Sequence, residues 1–129
     1  MRIWIISAAV CATVLGLAAP VICRAESDAE AAADLRARIA TMTVDARCNN
    51  IVNCRVIGLG SRPCGGPEEY LAYSIWDTKV DEIGSLAAEY NFLREELRST
   101  SGQAGSCEVL AEPSINCVNA RCVKVSPRR

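Results

Sequence analysis

Six cysteines, Cys48, Cys54, Cys64, Cys107, Cys117 and Cys122, are the residues of this chain whose type and spacing most clearly dictate chemistry. Two chemistries are open to them: metal ligation by thiolates, or oxidation to disulfides. Structural zinc sites place cysteines in pairs two to four residues apart, often with histidine. Here only Cys117 and Cys122 approach that spacing, and the chain contains no histidine. A redox enzyme would show Cys-x-x-Cys, and no such motif is present. The six cysteines therefore read as a disulfide framework, with neither a metal nor a cofactor expected.

The N-terminus supports that reading. Met1-Arg2 is a basic start, Ile3 to Ile22 carries no charge, and Cys23-Arg24-Ala25 sets small residues three before and one before a cut at Glu26. This is the order of a secretory signal peptide. Residues 1–25 are thus expected to be removed, together with Cys11 and Cys23, leaving an even number of thiols in a secreted or periplasmic protein. The apolar run is also long enough to span a bilayer, so an uncleaved anchor is the alternative, with no membrane span after processing otherwise. Lipidation at Cys23 is disfavoured because Ile22 precedes it, where a small residue is required.

Other catalytic constellations lack parts. Without histidine, Ser-His and Cys-His nucleophile–base pairs cannot form. Lys79 and Lys124 sit in no Ser-x-x-Lys motif. The adjacent carboxylates Glu68-Glu69 and Glu95-Glu96 point different ways on a helix, so they read as solvated. Asp77, Asp81 and Glu82 lack the spacing and central glycine of a calcium loop, and Asp81 is better explained as a helix cap. An enzyme is the least favoured class.

After processing, twelve basic residues face fifteen acidic ones. The tail ends in Arg128-Arg129, but no stretch interleaves cations with aromatics. A nucleic-acid surface needs clustered positive charge, so nucleic acid is not an expected partner, nor is an anionic membrane surface.

The elements that must position the cysteines follow from periodicity. Glu26 to Ala46 carries Ala32, Leu35, Ile39 and Met42 at spacings of three and four, which predicts an amphipathic helix that packs lightly. Arg55 to Leu59 reads as a short strand. Gly60-Ser61-Arg62-Pro63-Cys64-Gly65-Gly66-Pro67 concentrates chain-bending residues around a cysteine and predicts a stapled loop. Pro67 to Ser74 reads as a short helix, with Pro67 in its first turn and Glu68-Glu69 complementing its dipole. Thr78-Lys79-Val80-Asp81 resembles a capping box. After it, Ile83, Leu86, Tyr90, Leu93 and Leu97 mark the strongest helix of the chain, ended by the polar segment from Ser99 to Gly105. Cys107 to Leu110, Ile115 to Val118 and Arg121 to Val125 read as strands, the last two joined by Asn119-Ala120 as a two-residue turn.

Six cysteines allow fifteen pairings. A hairpin through Asn119-Ala120 would set Cys117 opposite Cys122 and favour a bridge between them. The rival pattern links Cys48 or Cys54 to Cys117 or Cys122 and clamps the ends of the domain together. Each bridge contributes about 2–4 kcal/mol, so three rival the whole stability of a small domain.

The expected architecture is a small disulfide-rich α+β domain, two helices packed on a short antiparallel β-sheet. Residues 26–47 form the N-terminal helix and residues 48–129 the stapled region of one globular unit. The candidate binding loop is Arg62, Gly65 and Gly66 with Tyr70 and Tyr73 beside it. Either this loop is presented to a partner, or it is a structural corner whose tyrosines are core residues, as their spacing favours. Arg62 as a protease-inhibitor contact is weakened by Pro63 directly after it. Two function classes follow. One is a non-catalytic binding or inhibitory module acting on a protein or envelope component. The other is a structural, envelope-associated protein without a defined ligand site.

Overall fold

The computed structural model describes residues 19–102, 105 and 107–125. Most of the expected signal segment and the Arg128-Arg129 tail lie outside them. The element order is α1 (Ala19–Thr43), a single 3₁₀ turn (Ile51–Asn53), β1 (Cys54–Leu59), β2 (Glu69–Ser74), α2 (Val80–Ser101), β3 (Ser114–Val118) and β4 (Arg121–Val125). The strands form two antiparallel two-stranded sheets, β1–β2 and β3–β4, where a single sheet was expected.

The β1–β2 sheet is the middle layer. Its side chains alternate between faces, as the pleat requires. Ile57 and Leu59 of β1 and Leu71 and Tyr73 of β2 join the core formed by the helices. Cys54 and Ala72, one position out of phase, face the other way into a second cluster with Ala46, Cys48, Ile115, Cys117 and Cys122. The helices therefore cover one face and the β3–β4 hairpin the other.

Both helical stripes do what their periodicity requires. Ala32, Leu35 and Ile39 of α1 are buried, as are Ile83, Leu86, Ala87 and Tyr90 of α2, with Leu93 and Leu97 partly so. The small residues of α1 allow close approach to α2, and the contact is extensive where a light one was expected. Gly102, in the left-handed region at φ 62°, ends α2. The start of α2 differs from expectation. Lys79 is the N-cap and makes no side-chain cap. Thr78 instead is buried and donates its hydroxyl to the Met42 carbonyl at 2.8 Å, tying the end of α1 to the start of α2. Asp81 and Glu82 remain in the first turn, where the helix dipole favours them.

Pro67 to Ser74 is not a helix. Glu69–Ser74 is β2, in register with β1 through Ile57↔Leu71 and Arg55↔Tyr73. The spacing of three between Tyr70 and Tyr73 imitates a helix. The pair that decides the structure is Leu71 and Tyr73, two apart and both turned to the core, in residue types that suit a pleated surface. The two glutamates that suggested a helix start make ion pairs instead. Glu69 accepts from Arg36 of α1 at 2.8 Å and Glu68 from Arg94 of α2 at 2.7 Å.

The β3–β4 hairpin forms as expected, its turn made by Asn119 (φ 51°) and Ala120 (φ 59°). Both central residues are left-handed, the geometry that matches strand twist. Cys117 and Cys122 are register partners but do not bond to each other. Cys48 pairs with Cys117 (Cα–Cα 6.0 Å) and Cys54 with Cys122 (5.5 Å), the clamping pattern. The reason lies in the Ala46–Cys48 segment, which runs beside the hairpin: Cys122 N–H donates to the Ala46 carbonyl at 2.8 Å and Cys48 N–H to the Ala120 carbonyl at 3.0 Å. That brings both partners beneath the hairpin. The third pair, Cys64–Cys107 (5.0 Å), ties the loop after β1 to the segment after α2. Three disulfides in so small a domain are consistent with an extracellular or otherwise oxidising compartment. Among the described residues, no helix is long and apolar enough to cross a membrane.

Cys107 to Leu110 is not a strand. Among the described residues it pairs with no strand, and side chains hold it instead. Arg62 donates to the Glu108 carbonyl at 2.9 Å, and the Tyr70 hydroxyl lies 3.5 Å from the Leu110 carbonyl.

Candidate functional site

The loop between β1 and β2 is fixed from three directions. Within itself, Arg62 N–H donates to the Gly66 carbonyl and Gly65 N–H to the Arg62 carbonyl, each at 3.0 Å. Gly65 adopts φ 89° and Gly66 φ 85°, which only glycine takes without strain, and both are exposed. Covalently, Cys64 anchors the loop to Cys107. From below, α2 holds it. Asn91 accepts from Gly60 N–H at 2.7 Å and donates to the Gly58 carbonyl at 3.3 Å, and the Ser61 hydroxyl donates to Glu95.

The supporting residues on α2 are Asn91, Arg94, Glu95 and Arg98, at i, i+3, i+4 and i+7. They form a polar stripe running beside the apolar one. Arg94 grips Glu68 with Nε and Nη2 at 3.1 and 2.7 Å. Arg98 grips Glu95 in the same two-pronged way. Glu68 in turn packs under Gly60, where φ is 90° and any Cβ would land on the Glu68 carboxylate. Ser61 first and Arg98 next hold the Glu95 carboxyl below the usual carboxylate range. Glu68 raises Arg94 above its ordinary value, so the guanidinium is firmly charged.

Between the loop and the C-terminal half of α2 lies an open groove of about 690 Å³, lined chiefly by Arg62, Pro63, Glu68, Arg94, Leu97 and Arg98. Polar and apolar surface line it in nearly equal measure. It can receive an extended, charged segment better than a compact apolar molecule.

The sequence-derived candidates divide. Arg62, Gly65 and Gly66 lie together in the loop between β1 and β2. Tyr70 is half-buried behind them and reaches toward Leu110. Tyr73 is 6% exposed, points to the opposite face of β2 from Tyr70 and belongs to the core, so the loop does not present it. Arg94, Glu95 and Arg98 were not singled out from sequence, and Glu95 was read as merely solvated. The signal for them was the second, polar stripe of α2. Asp77, weighed for calcium, is engaged by Arg47, which holds its carboxyl below the ordinary range through side-chain and backbone hydrogen bonds.

Cys48, Cys54 and Cys122 bring their sulfurs within 4.8 Å of one another, the geometry of two disulfides stacked side by side. Sulfur spent in disulfides offers no thiolate to a metal. The chain matches no protein-family model, no curated protein and no solved structure.

Proposed function

We propose that the protein is an exported, non-catalytic binding module, acting on a protein or envelope component through the stapled Gly60–Pro67 loop and the groove beside it. The observation that carries this reading is the loop itself: its exposed Gly65-Gly66 tip is held by a disulfide, two internal hydrogen bonds and the polar stripe of α2. A loop so restrained has little ordering entropy left to lose on association. Export after removal of residues 1–25 belongs to the same reading, supported by the disulfides and by the basic, apolar, small-residue order of the N-terminus.

Tyr73 in the core and the internal use of the Arg62 guanidinium favour the second reading, in which the loop is a structural corner of an envelope-associated protein. One experiment separates the two. Gly65→Asn adds an exposed side chain where nothing lies within 4 Å, in the residue type that bears positive φ at least cost after glycine. Capture from envelope fractions and culture fluid by the oxidised protein is expected to be lost in this variant, with stability lowered only by the strain of a left-handed residue, about 1–2 kcal/mol. A captured partner retained by Gly65→Asn, or no partner at all, supports the structural corner. N-terminal sequencing of the exported protein should begin at Glu26.

A further inference from the structure

Two arginines of the groove are already held in place by carboxylates. Arg94 and Arg98 each direct Nε and Nη2 at both oxygens of one carboxylate, Glu68 and Glu95 respectively. Each fork spends one edge of its guanidinium, and the Nη1 groups have no partner among the described residues. Arg62 meets no carboxylate among them either, since its guanidinium donates to the carbonyls of Glu108 and Glu68. Three cations therefore stand against two carboxylates, and all four oxygens of those carboxylates are taken. The groove is a local reversal of charge on a chain with net charge −1. The carboxylates act as positioning groups, fixing planar donors whose free edges match a further carboxylate. Pro63 and Leu97 supply apolar ground for the methylenes of an acidic side chain. The volume falls within the range of ligand clefts, about 300–1,000 Å³.

We propose that this groove recognises the carboxylates of an acidic stretch in a partner protein. The proposal rests on the binding-module reading and gives that module its ligand chemistry. Arg94 and Arg98, one helical turn apart, take successive carboxylates, and Arg62 closes the groove from the loop side.

The test is an amide NMR titration of the oxidised protein with a hexaglutamate peptide, a hexalysine peptide and inorganic phosphate in parallel. Hexaglutamate is expected to give saturable shifts at Ser61, Arg62, Arg98 and Ser101 that weaken with added salt, whereas hexalysine gives none. Arg98→Gln should weaken hexaglutamate about tenfold, and Arg98→Lys, which keeps charge but loses the fork, less than that. The double variant Arg94→Gln/Arg98→Gln should abolish the shifts while retaining native spectral dispersion; if it loses dispersion, Arg98→Lys against Arg98→Gln decides. Absence of saturable shifts, shifts that survive the arginine changes, or phosphate binding as tightly as hexaglutamate would overturn the proposal. A natural partner that is retained by the double variant but lost by Gly65→Asn also overturns it, while leaving the loop reading in place.

Discussion

Asn91 spans the gap between α2 and the end of β1, its carboxamide accepting from Gly60 N–H and donating to the Gly58 carbonyl. Gly60 is buried, so its N–H has no water to fall back on. Asn91→Ala is expected to lower unfolding free energy by about 1–3 kcal/mol. Asn91→Asp, which keeps the acceptor for Gly60, should cost less. Urea denaturation compares the variants, and amide exchange at Gly60 should accelerate in Asn91→Ala. Unchanged exchange there would show that the carboxamide does not anchor the loop.

Ala120 sits at φ 59°, a conformation in which a Cβ is strained and glycine is not. Its side chain is exposed and contributes nothing to the core. Ala120→Gly makes the turn Asn-Gly, the best pair for this geometry. Stability should rise by about 0.5–1 kcal/mol, relief of strain outweighing the greater freedom of glycine in the unfolded chain. Thermal melting of the oxidised protein measures it, and a fall in midpoint would contradict the turn assignment.

The three disulfides differ in access. Cys64 and Cys107 are both exposed, whereas Cys48, Cys54 and Cys122 are buried. Thiol–disulfide exchange requires attack on an accessible sulfur. Timed alkylation during mild dithiol reduction should therefore label Cys64 and Cys107 first, with the half-buried Cys117 and the three buried cysteines following later. Simultaneous labelling of all six would contradict this order.

Glu95 titrates below the usual carboxylate range because Ser61 and then Arg98 stabilise its charged form. A depressed folded-state value means the contact stabilises the fold above the unfolded carboxyl pKa of about 4.3, and that this stabilisation is lost as pH falls through the folded value. Carboxyl-carbon NMR should show Glu95 titrating below the usual carboxylate range. Glu95→Gln should remove the corresponding part of the acid dependence of stability. An ordinary titration at Glu95 would sever the link between loop and helix.

What the sequence makes legible is what local patterning determines. The apolar stripe of α2 and the hairpin at Asn119-Ala120 are each decided by residues close together in the chain. So is the bend of the loop, and all three appear where the patterning put them. β2 was misread because Pro67-Glu68-Glu69 is good helix-start chemistry in isolation. Its strand form depends on β1, on Arg36 and on Arg94, partners that only the folded chain brings near. The cysteine pairing was likewise not decidable from the hairpin alone. It turns on Ala46–Cys48 lying beside β4, a contact across some seventy positions. The groove was hidden for the same reason: Glu68 and Arg94 are 26 residues apart and meet only once β2 and α2 are stacked.

The middle sheet is joined to its two neighbours by unlike means. Toward the helices, hydrocarbon does the joining. Toward the hairpin, few inward side chains are available beyond Ile115, Lys124 and the cysteines themselves, and sulfur–sulfur bonds take the place of bulk: Cys54–Cys122 crosses from the sheet directly, and Cys48–Cys117 fastens the segment leading into it. The hairpin is in effect a riveted plate. Its outward residues Ser114, Asn116 and Val118 carry little responsibility for holding it on, so sequence can drift there without loosening the layer beneath, whereas Arg121 pairs with Asp45 at 2.9 Å and helps to fasten it.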